Sequence, residues 1–205
     1  MMIGGAALFA AGLAFALPTG GATAAPKVGS PAPDFVGVDV DGKQVKLSDY
    51  RGKTVVLEWY NHQCPFVRKH YDSANMQGLQ DSAAKDGIVW LTIVSSAQGE
   101  QGWLPPAEAK KLMATEKSAP AAKIVDPSGK IGKTFDARVT PHMYVIDAKG
   151  TLAYMGAIDD KPSTRVDDVP KARSYVKEAL AAVKAGKPMD PAVTRAYGCT
   201  VKYGS

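Results

Sequence analysis

Two nearly continuous apolar segments in the first half of the chain constrain its fold more than any other feature. They are Thr54–Tyr60 and Ile88–Val94, and each has the length and composition of a buried strand. Between them a helix can begin at Pro65 and run to about Lys85, where Asp86-Gly87 closes it. A strand–helix–strand unit of this kind predicts that the two strands pair in parallel.

Further strands, turns and helices surround this unit. Asp41-Gly42 lies between two alternating apolar runs and predicts an N-terminal β-hairpin. Met143–Ile146 and Leu152–Met155 flank a turn and predict a second hairpin. We expect helices over 107–117, 128–135 and 168–185, an edge strand over 123–125 and an extended C-terminal tail over 187–205.

The composition is that of one globular domain. The chain has 205 residues, of which 45% are hydrophobic and 22% are charged, and this excludes a fibrous or mainly disordered protein. Two cysteines are too few for a disulfide scaffold. The net charge of +5 comes from scattered basic residues, so no nucleic-acid-binding surface is expected.

The N-terminus has the pattern of a targeting segment. Ile3–Leu17 is an uncharged apolar run, shorter than the ~20 residues that a membrane span needs. Ala22-Thr23-Ala24 fits a cleavage site. We therefore predict a signal peptide over residues 1–24 and a mature protein that begins at Ala25, in the periplasm or outside the cell. The alternative is an uncleaved anchor, which would be the only membrane contact of the chain.

Cys64 is the first candidate for chemistry. It follows a predicted buried strand and precedes Pro65, so the N–H groups and the dipole of the helix would favour its thiolate form. Arg68 and Lys69 add positive charge in the next turn. These features are typical of a reactive cysteine. A buried inert thiol, or half of a structural disulfide, is the alternative.

Several segments of the chain resemble a known family. They are Pro31–Phe35, Asn61–Phe66, Val139–His142, Ile158–Pro162 and Gly198–Tyr203. In them the chain is similar to thioredoxin-fold redoxins, and more narrowly to peroxiredoxin-like proteins of the alkyl hydroperoxide reductase/thiol-specific antioxidant superfamily. The resemblance implies an α/β fold: a thioredoxin-like three-layer α/β/α sandwich with a central mixed sheet. The redoxin domain would cover residues 25–186, and the tail that carries Cys199 would cover residues 187–205.

The resemblance also assigns positions in the candidate site. The second cysteine of thioredoxins and the peroxide-attacking cysteine of peroxiredoxins both fall on Val67. The activating threonine and the oxyanion-holding arginine of peroxiredoxins fall on Cys64 and Pro141, so the peroxidase residues are absent and peroxidase activity is in doubt. Thr140-Pro141 resembles a cis-proline that faces the cysteine and presents backbone to a substrate chain. A plain turn before a strand is the alternative.

Two more residues are candidates for thiol chemistry. Glu58 lies in an apolar strand where thioredoxins have a buried acid, so its pKa is expected to be raised and it could exchange protons with the sulfur. The alternative is a carboxylate at the strand edge that reaches solvent or Lys53. Cys199, the only other cysteine, could resolve a mixed disulfide at Cys64 or form a structural bridge. Unpaired thiols or an intermolecular bridge also stay open.

The histidines allow a metal hypothesis. In the expected fold His62 and His142 would approach Cys64, and the three side chains form a soft ligand set suited to Cu(I). The alternative is that the two histidines only tune the thiolate or hydrogen-bond the loops. His70 is expected to lie on the helix surface.

The leading hypothesis is an exported thiol–disulfide oxidoreductase-like redoxin in which Cys64 is the nucleophile and Cys199 or an external thiol resolves the intermediate. Its site residues are Cys64, Cys199, Glu58, Thr140 and Pro141, and no cofactor is expected. Its partners would be protein thiols and disulfides or a thiol reductant. The alternatives are a copper-binding thioredoxin-fold protein and a catalytically inert redoxin scaffold.

Overall fold

The computed structural model describes Met1 and residues 25–204. In chain order the strands are β1 (Val36–Val38), β2 (Gln44–Lys46), β3 (Val55–Trp59), β4 (Val89–Val94), β5 (Ala122–Val125), β6 (Val139–Thr140), β7 (His142–Ile146), β8 (Leu152–Gly156) and β9 (Cys199–Thr200). The α-helices are α1 (Pro65–Asp72), α2 (Asn75–Lys85), α3 (Pro106–Glu116), α4 (Lys130–Thr134) and α5 (Tyr175–Lys184). The predicted signal peptide over residues 1–24 lies outside the described residues, apart from Met1.

The central sheet is mixed and has the strand order β5-β4-β3-β7-β8. β3 pairs in parallel with β4, and β4 with β5, while β7 runs antiparallel to both β3 and β8. The predicted parallel strand–helix–strand unit is therefore confirmed. β3 lies at the centre of the sheet with all five residues buried, because helices or loops cover both faces.

Each face of the sheet carries its own hydrophobic core. On one face Leu57 and Trp59 pack with Phe135 beside α4 and with residues of the N-terminal hairpin β1–β2. On the other face Val56 packs with α1, α2 and α5. This is the expected thioredoxin-like three-layer arrangement with an N-terminal hairpin. Among the described residues, no helix has the length and apolarity required to cross a membrane.

The helix predicted from Pro65 to about Lys85 is two helices. Ala74 adopts a left-handed conformation with φ of 58° and separates α1 from α2. Two side chains donate hydrogen bonds to the last carbonyls of α1. Gln77 Nε2 donates to Tyr71 O at 3.0 Å, and Ser73 Oγ donates to His70 O at 3.3 Å. The sequence pattern is continuous through this break, because such side-chain caps leave no strong periodic signal.

The helix predicted over 168–185 begins later than expected. Residues Val166–Lys171 form a 3₁₀ turn that contains Pro170, and α5 begins at Tyr175. Between them, Arg173 pairs its backbone with Asp160, whose N–H donates to Arg173 O at 3.2 Å. The 3₁₀ turn and this extended pairing together replace the first two turns of the predicted helix.

Candidate active site

Cys64 lies at the junction between β3 and α1, where the sequence predicts a reactive cysteine. It is the N-cap residue of α1, Pro65 is the first helical residue, and the Cys64 side chain is fully buried. The Cys64 carbonyl accepts hydrogen bonds from the N–H groups of Val67 and Arg68, at 3.0 and 2.8 Å. The strand end and the first helical turn thus hold the thiol in one place.

The Cys64 thiol faces β6 and the residue before Pro141. Its Sγ donates a hydrogen bond to Thr140 O at 3.1 Å. The Thr140–Pro141 peptide bond is cis, as the resemblance implied. Thr140 is itself buried, so the thiol and this carbonyl form a closed pair inside the site.

The structure brings Cys199 to Cys64 although 134 residues lie between them. β9 runs antiparallel to β6, and Cys199 lies directly opposite Thr140, the residue that accepts the Cys64 hydrogen bond. Burial, followed by a hydrogen bond to Cys64 and the charge of Cys64, raises the pKa of Cys199 to about 12. Both thiols are free in this structure. At neutral pH Cys199 therefore keeps its proton, and its thiol lies beside the Cys64 sulfur.

Glu58 is buried, as expected, but its carboxylate is hydrogen-bonded to groups other than the Cys64 sulfur. Oε1 accepts from Tyr71 Oη at 2.8 Å, while Oε2 accepts from Trp90 Nε1 at 2.8 Å and Thr92 Oγ1 at 3.0 Å. Gln80 Nε2 adds a longer contact to Oε2 at 3.4 Å. Burial raises the pKa of Glu58, and these hydrogen bonds lower it in part. The alternative of a solvent-facing Glu58 is excluded. Its hydrogen bonds join β3, β4, α1 and α2 and do not include the Cys64 sulfur.

A second set of buried charged groups lies beside the site and was not predicted from the sequence. Tyr60 Oη donates to both carboxylate oxygens of Glu116, at 2.8 and 2.9 Å, and Arg68 pairs with the same carboxylate. Lys123 places its Nζ 3.8 Å from the centroid of the Tyr60 ring and has no hydrogen-bond partner among the described residues. Burial lowers the pKa of Lys123 to about 8. In the sequence, the available signal of these buried charged groups was the single lysine in the apolar run 123–125.

His70 is buried, so the prediction that it lies on the helix surface is wrong. Its Nε2 is 3.7 Å from Asp159 Oδ2, and Lys69 Nζ is 3.5 Å from the same oxygen. Tyr197 of the C-terminal tail donates its hydroxyl to the other oxygen of Asp159. α1 is therefore covered on a second side by residues 158–161 and by the tail, which helical periodicity alone could not reveal. Burial lowers the pKa of His70 to about 4.

The two histidines of the copper hypothesis lie in different surroundings. His142 is on the face of β7 opposite Met143, and Met143 packs in the core that contains Cys64. The His142 ring instead stacks against Tyr144, with centroids 4.6 Å apart, and burial lowers the pKa of His142 to about 4. His62 lines a small cavity with Tyr60 and Lys123. Among the described residues, no three His, Cys, Asp or Glu side chains group closely enough to hold a metal ion. Copper binding stays a prediction without support from this geometry.

Val67 occupies the position at which the resemblance implies a second thiol. Val67 lies in α1, fully buried in the same core cluster as Cys64 and Met143. Cys64 therefore has its thiol partner in the tail and not in its own helix.

Fold and site together define a thioredoxin-fold redoxin. The family model for the AhpC/TSA family matches residues 28–155, and the chain belongs to that family. Peroxiredoxin-2 from Rattus norvegicus is 30% identical over 174 residues, which is 77% of this chain and 78% of the relative. The thiol-disulfide oxidoreductase ResA from Geobacillus thermodenitrificans is 35% identical over 78 residues, 35% of this chain and 45% of the relative.

Solved structures support the same fold. A hypothetical protein from Sinorhizobium meliloti 1021 has a TM-score of 0.74 at 20% identity, with 89% of this chain and 97% of that chain covered. The thioredoxin domain of a thiol-disulfide oxidoreductase from Bacteroides vulgatus has a TM-score of 0.51 at 21% identity, with coverage of 71% and 96%. At these identities the similarity concerns the fold alone.

Proposed function

We propose that this redoxin is an exported thiol–disulfide oxidoreductase in which Cys64 is the nucleophile and Cys199 is the intramolecular resolving thiol. The observation that carries the proposal is the meeting of two free thiols at the start of α1, one of them buried and the other brought there by β9. Catalytic cysteines of this class need a partner thiol within reach. Cys199 supplies the thiol that is missing at Val67.

The pKa of Cys199 supports a fixed order of attack. In the reduced protein, burial and the neighbouring Cys64 keep the proton on Cys199, so Cys64 is the thiol free to attack first. Once Cys64 is part of a mixed disulfide, its charge and its hydrogen bond to Cys199 are gone. The two smaller causes that raise the pKa of Cys199 then disappear, so this pKa falls and favours ionisation for the second step, while burial, the largest cause, still raises it.

The chemistry balances in two exchange steps. The Cys64 thiolate attacks one sulfur of a substrate disulfide, forms a mixed disulfide and releases the other sulfur as a thiolate. Cys199 then loses its proton and attacks the Cys64 sulfur, which releases the second substrate sulfur. The substrate gains two electrons, and Cys64 and Cys199 lose two as their disulfide forms. The reverse sequence oxidises a substrate dithiol.

Protein thiols and disulfides are the proposed substrates, and a thiol reductant would return the cysteine pair to its reduced form. ResA, which is a thiol-disulfide oxidoreductase by name, supports this substrate class. The backbone of β6 beside Cys64 pairs with β9, and an extended protein segment could pair with it in the same way, which a small molecule could not do.

Peptide mapping under non-reducing conditions tests the proposal. Mild oxidation of the wild-type protein is expected to yield one peptide pair joined by a Cys64–Cys199 disulfide. In a Cys199→Ser variant, a mixed disulfide or sulfenic acid is expected to accumulate at Cys64 instead. A bridge with a purely structural role would resist mild reductants, and each cysteine variant would lose stability to the same extent. Two free cysteines after oxidant treatment would refute the exchange function.

Export is a separate part of the proposal, and the apolar run Ile3–Leu17 before Ala22-Thr23-Ala24 supports it. An oxidising compartment would suit a protein whose working cycle includes a disulfide. N-terminal sequencing of protein recovered from the periplasm or the medium is expected to begin at or near Ala25. Recovery of the intact N-terminus in the cytoplasmic fraction alone would contradict export.

A further inference from the structure

Residues 197–203 of the C-terminal tail contain β9, the strand that pairs with β6. Among the described residues, β6 has one strand neighbour, which is β9. Cys199 lies opposite Thr140, and Thr200 lies opposite Val139. The pairing continues beyond the strands, since Val201 N donates to Arg138 O at 3.0 Å. The tail therefore binds in the way that an added peptide strand would bind.

Gly198 determines which residue can precede the tail cysteine. Its φ is +136°, and a Cβ built on it would lie 1.9 Å from Thr140 O and 2.7 Å from Thr140 C. Thr140 O cannot easily move, because it accepts the hydrogen bond from the Cys64 thiol. A strand that places a cysteine opposite Thr140 in this register must therefore carry glycine just before it.

Residues 197–203 lie at the surface and are held by side-chain and backbone contacts. Tyr197 donates to Asp159, Tyr203 Oη donates to Ala137 O, and Lys202 O accepts from Ala97 N at 2.8 Å. None of residues 197–203 is fully buried, whereas the Cys64 and Thr140 side chains beneath them are. Tyr197 and Cys199 pack against one hydrophobic core and Val201 against the other, so departure of the tail would expose the edges of both cores.

Two cavities flank the segment that leads into the tail. One has a volume of about 530 Å³ and contains His142 and Arg138, and the other has a volume of about 600 Å³ and contains Asp159 and Tyr175. Val139 and residues 194–196 line both cavities. Thr194 is held there by hydrogen bonds, since its N–H donates to Met155 O at 3.1 Å and its Oγ1 accepts from Ala157 N at 2.9 Å, so this segment keeps the two cavities apart.

We propose that the edge of β6 is the docking site for an extended segment of a partner protein that carries a Gly-Cys pair, and that tail residues 197–203 are its resident occupant. This inference rests on the proposed exchange at Cys64, since the docked cysteine takes the place of Cys199 beside that sulfur. A partner segment must displace the tail before it reacts. The tail sequence Tyr-Gly-Cys-Thr-Val-Lys is thus a template for the preferred substrate.

A chromogenic exchange assay tests the reaction at this edge. The probe is the hexapeptide Tyr-Gly-Cys-Thr-Val-Lys with its cysteine in a disulfide with 2-thiopyridine, and the protein is the full chain with Cys199→Ser. Cys64 attacks the peptide sulfur, a Cys64–peptide disulfide forms, and pyridine-2-thiolate leaves and is measured by its absorbance. One disulfide replaces another, so no external oxidant or reductant is needed. The matched control probe is Tyr-Ala-Cys-Thr-Val-Lys.

The glycine probe is expected to react about tenfold faster than the alanine probe or better, because the added methyl group meets Thr140 O. Adding Gly198→Ala to the protein should weaken tail docking for the same reason and speed the reaction of the glycine probe. Equal rates for the two probes, or no change with Gly198→Ala, would overturn the docking proposal. Failure of Cys64 to react even with 2,2′-dipyridyl disulfide would instead refute the proposed exchange function.

A binding measurement separates docking from thiol chemistry. Fluorescence anisotropy of labelled Tyr-Gly-Ser-Thr-Val-Lys needs no reaction at Cys64. Tighter binding to the Gly198→Ala protein than to the wild-type protein is expected, since the resident tail then competes less. The absence of saturable binding to both proteins would overturn the docking site whatever the reactivity of Cys64. Thermal melts of each variant serve as the control for an intact domain.

Discussion

A Cys64→Ser variant is expected to lose disulfide exchange completely, down to the rate measured without protein. A serine hydroxyl is not ionised at neutral pH and cannot form a disulfide, so the first step has no nucleophile. The fold should survive, since serine can keep the hydrogen bond to Thr140 O. Reduction of a disulfide-bonded protein substrate, followed in the presence of a thiol reductant, measures the loss.

The matched control for this experiment is Cys199→Ser. This variant keeps the first step and lacks the second, so without added thiol reductant it should form one mixed disulfide per chain and then stop. Undiminished turnover in the Cys64→Ser protein would contradict the assignment of the nucleophile.

The wild-type protein is also expected to consume hydrogen peroxide weakly or not at all, because Val67 and Pro141 occupy positions that peroxidases use. Rapid peroxide consumption that depends on Cys64 would contradict that expectation.

A Glu58→Ala variant is expected to lose on the order of 4 kcal/mol of unfolding free energy. The substitution removes the acceptor of Tyr71, Trp90 and Thr92, whose donors lie within 3.0 Å of the carboxylate, and leaves them buried without a partner. It also opens a cavity between the sheet and the helices. Urea denaturation compares the variant with the wild-type protein. A loss below about 1 kcal/mol would show that these donors find other partners.

Glu58→Gln provides the matched control and adds a pH dependence with a defined sign. Its amide keeps the volume and one acceptor, so a smaller loss of about 1–2 kcal/mol is expected at neutral pH. Burial raises the pKa of Glu58 above its ordinary value of 4.5, so the folded state holds this proton more tightly than the unfolded chain. The stability from protonation is fully present below 4.5 and is lost as the pH rises through the folded pKa. Lowering the pH toward 4.5 should therefore favour the wild-type protein over Glu58→Gln; an unchanged difference would contradict a raised pKa.

Local sequence patterns predicted the elements that surround Cys64. The apolar runs become β3 and β4, Pro65 begins α1, and Asp41-Gly42 lies in the turn of the N-terminal hairpin. These features depend on neighbours within a few residues, such as alternation, the missing N–H of proline and turn preferences. The position of Cys64 at a helix start and the burial of Glu58 follow from the same local rules.

The errors lie where distant segments decide the outcome. His70 was expected at the surface, but residues 158–161 and the tail cover it through Asp159 and Tyr197. The position of His142 is a different case, because local alternation along β7 places it on the face opposite Met143, and its approach to Cys64 stays a prediction. Helical periodicity describes one helix at a time and carries no information about what covers its other sides.

The sequence by itself determined the class of fold, the position of Cys64 at the start of a helix and the absence of a second cysteine in that helix. It left open whether Cys199 lies near Cys64, because spacing along a chain does not set a distance in space when 134 residues intervene. Only the tertiary structure brings the two cysteines together. β9 reaches Cys64 because the edge of β6 has backbone groups to pair and because Gly198, without a Cβ, can approach Thr140 closely. Both conditions arise where two distant segments meet, and neither segment alone encodes them.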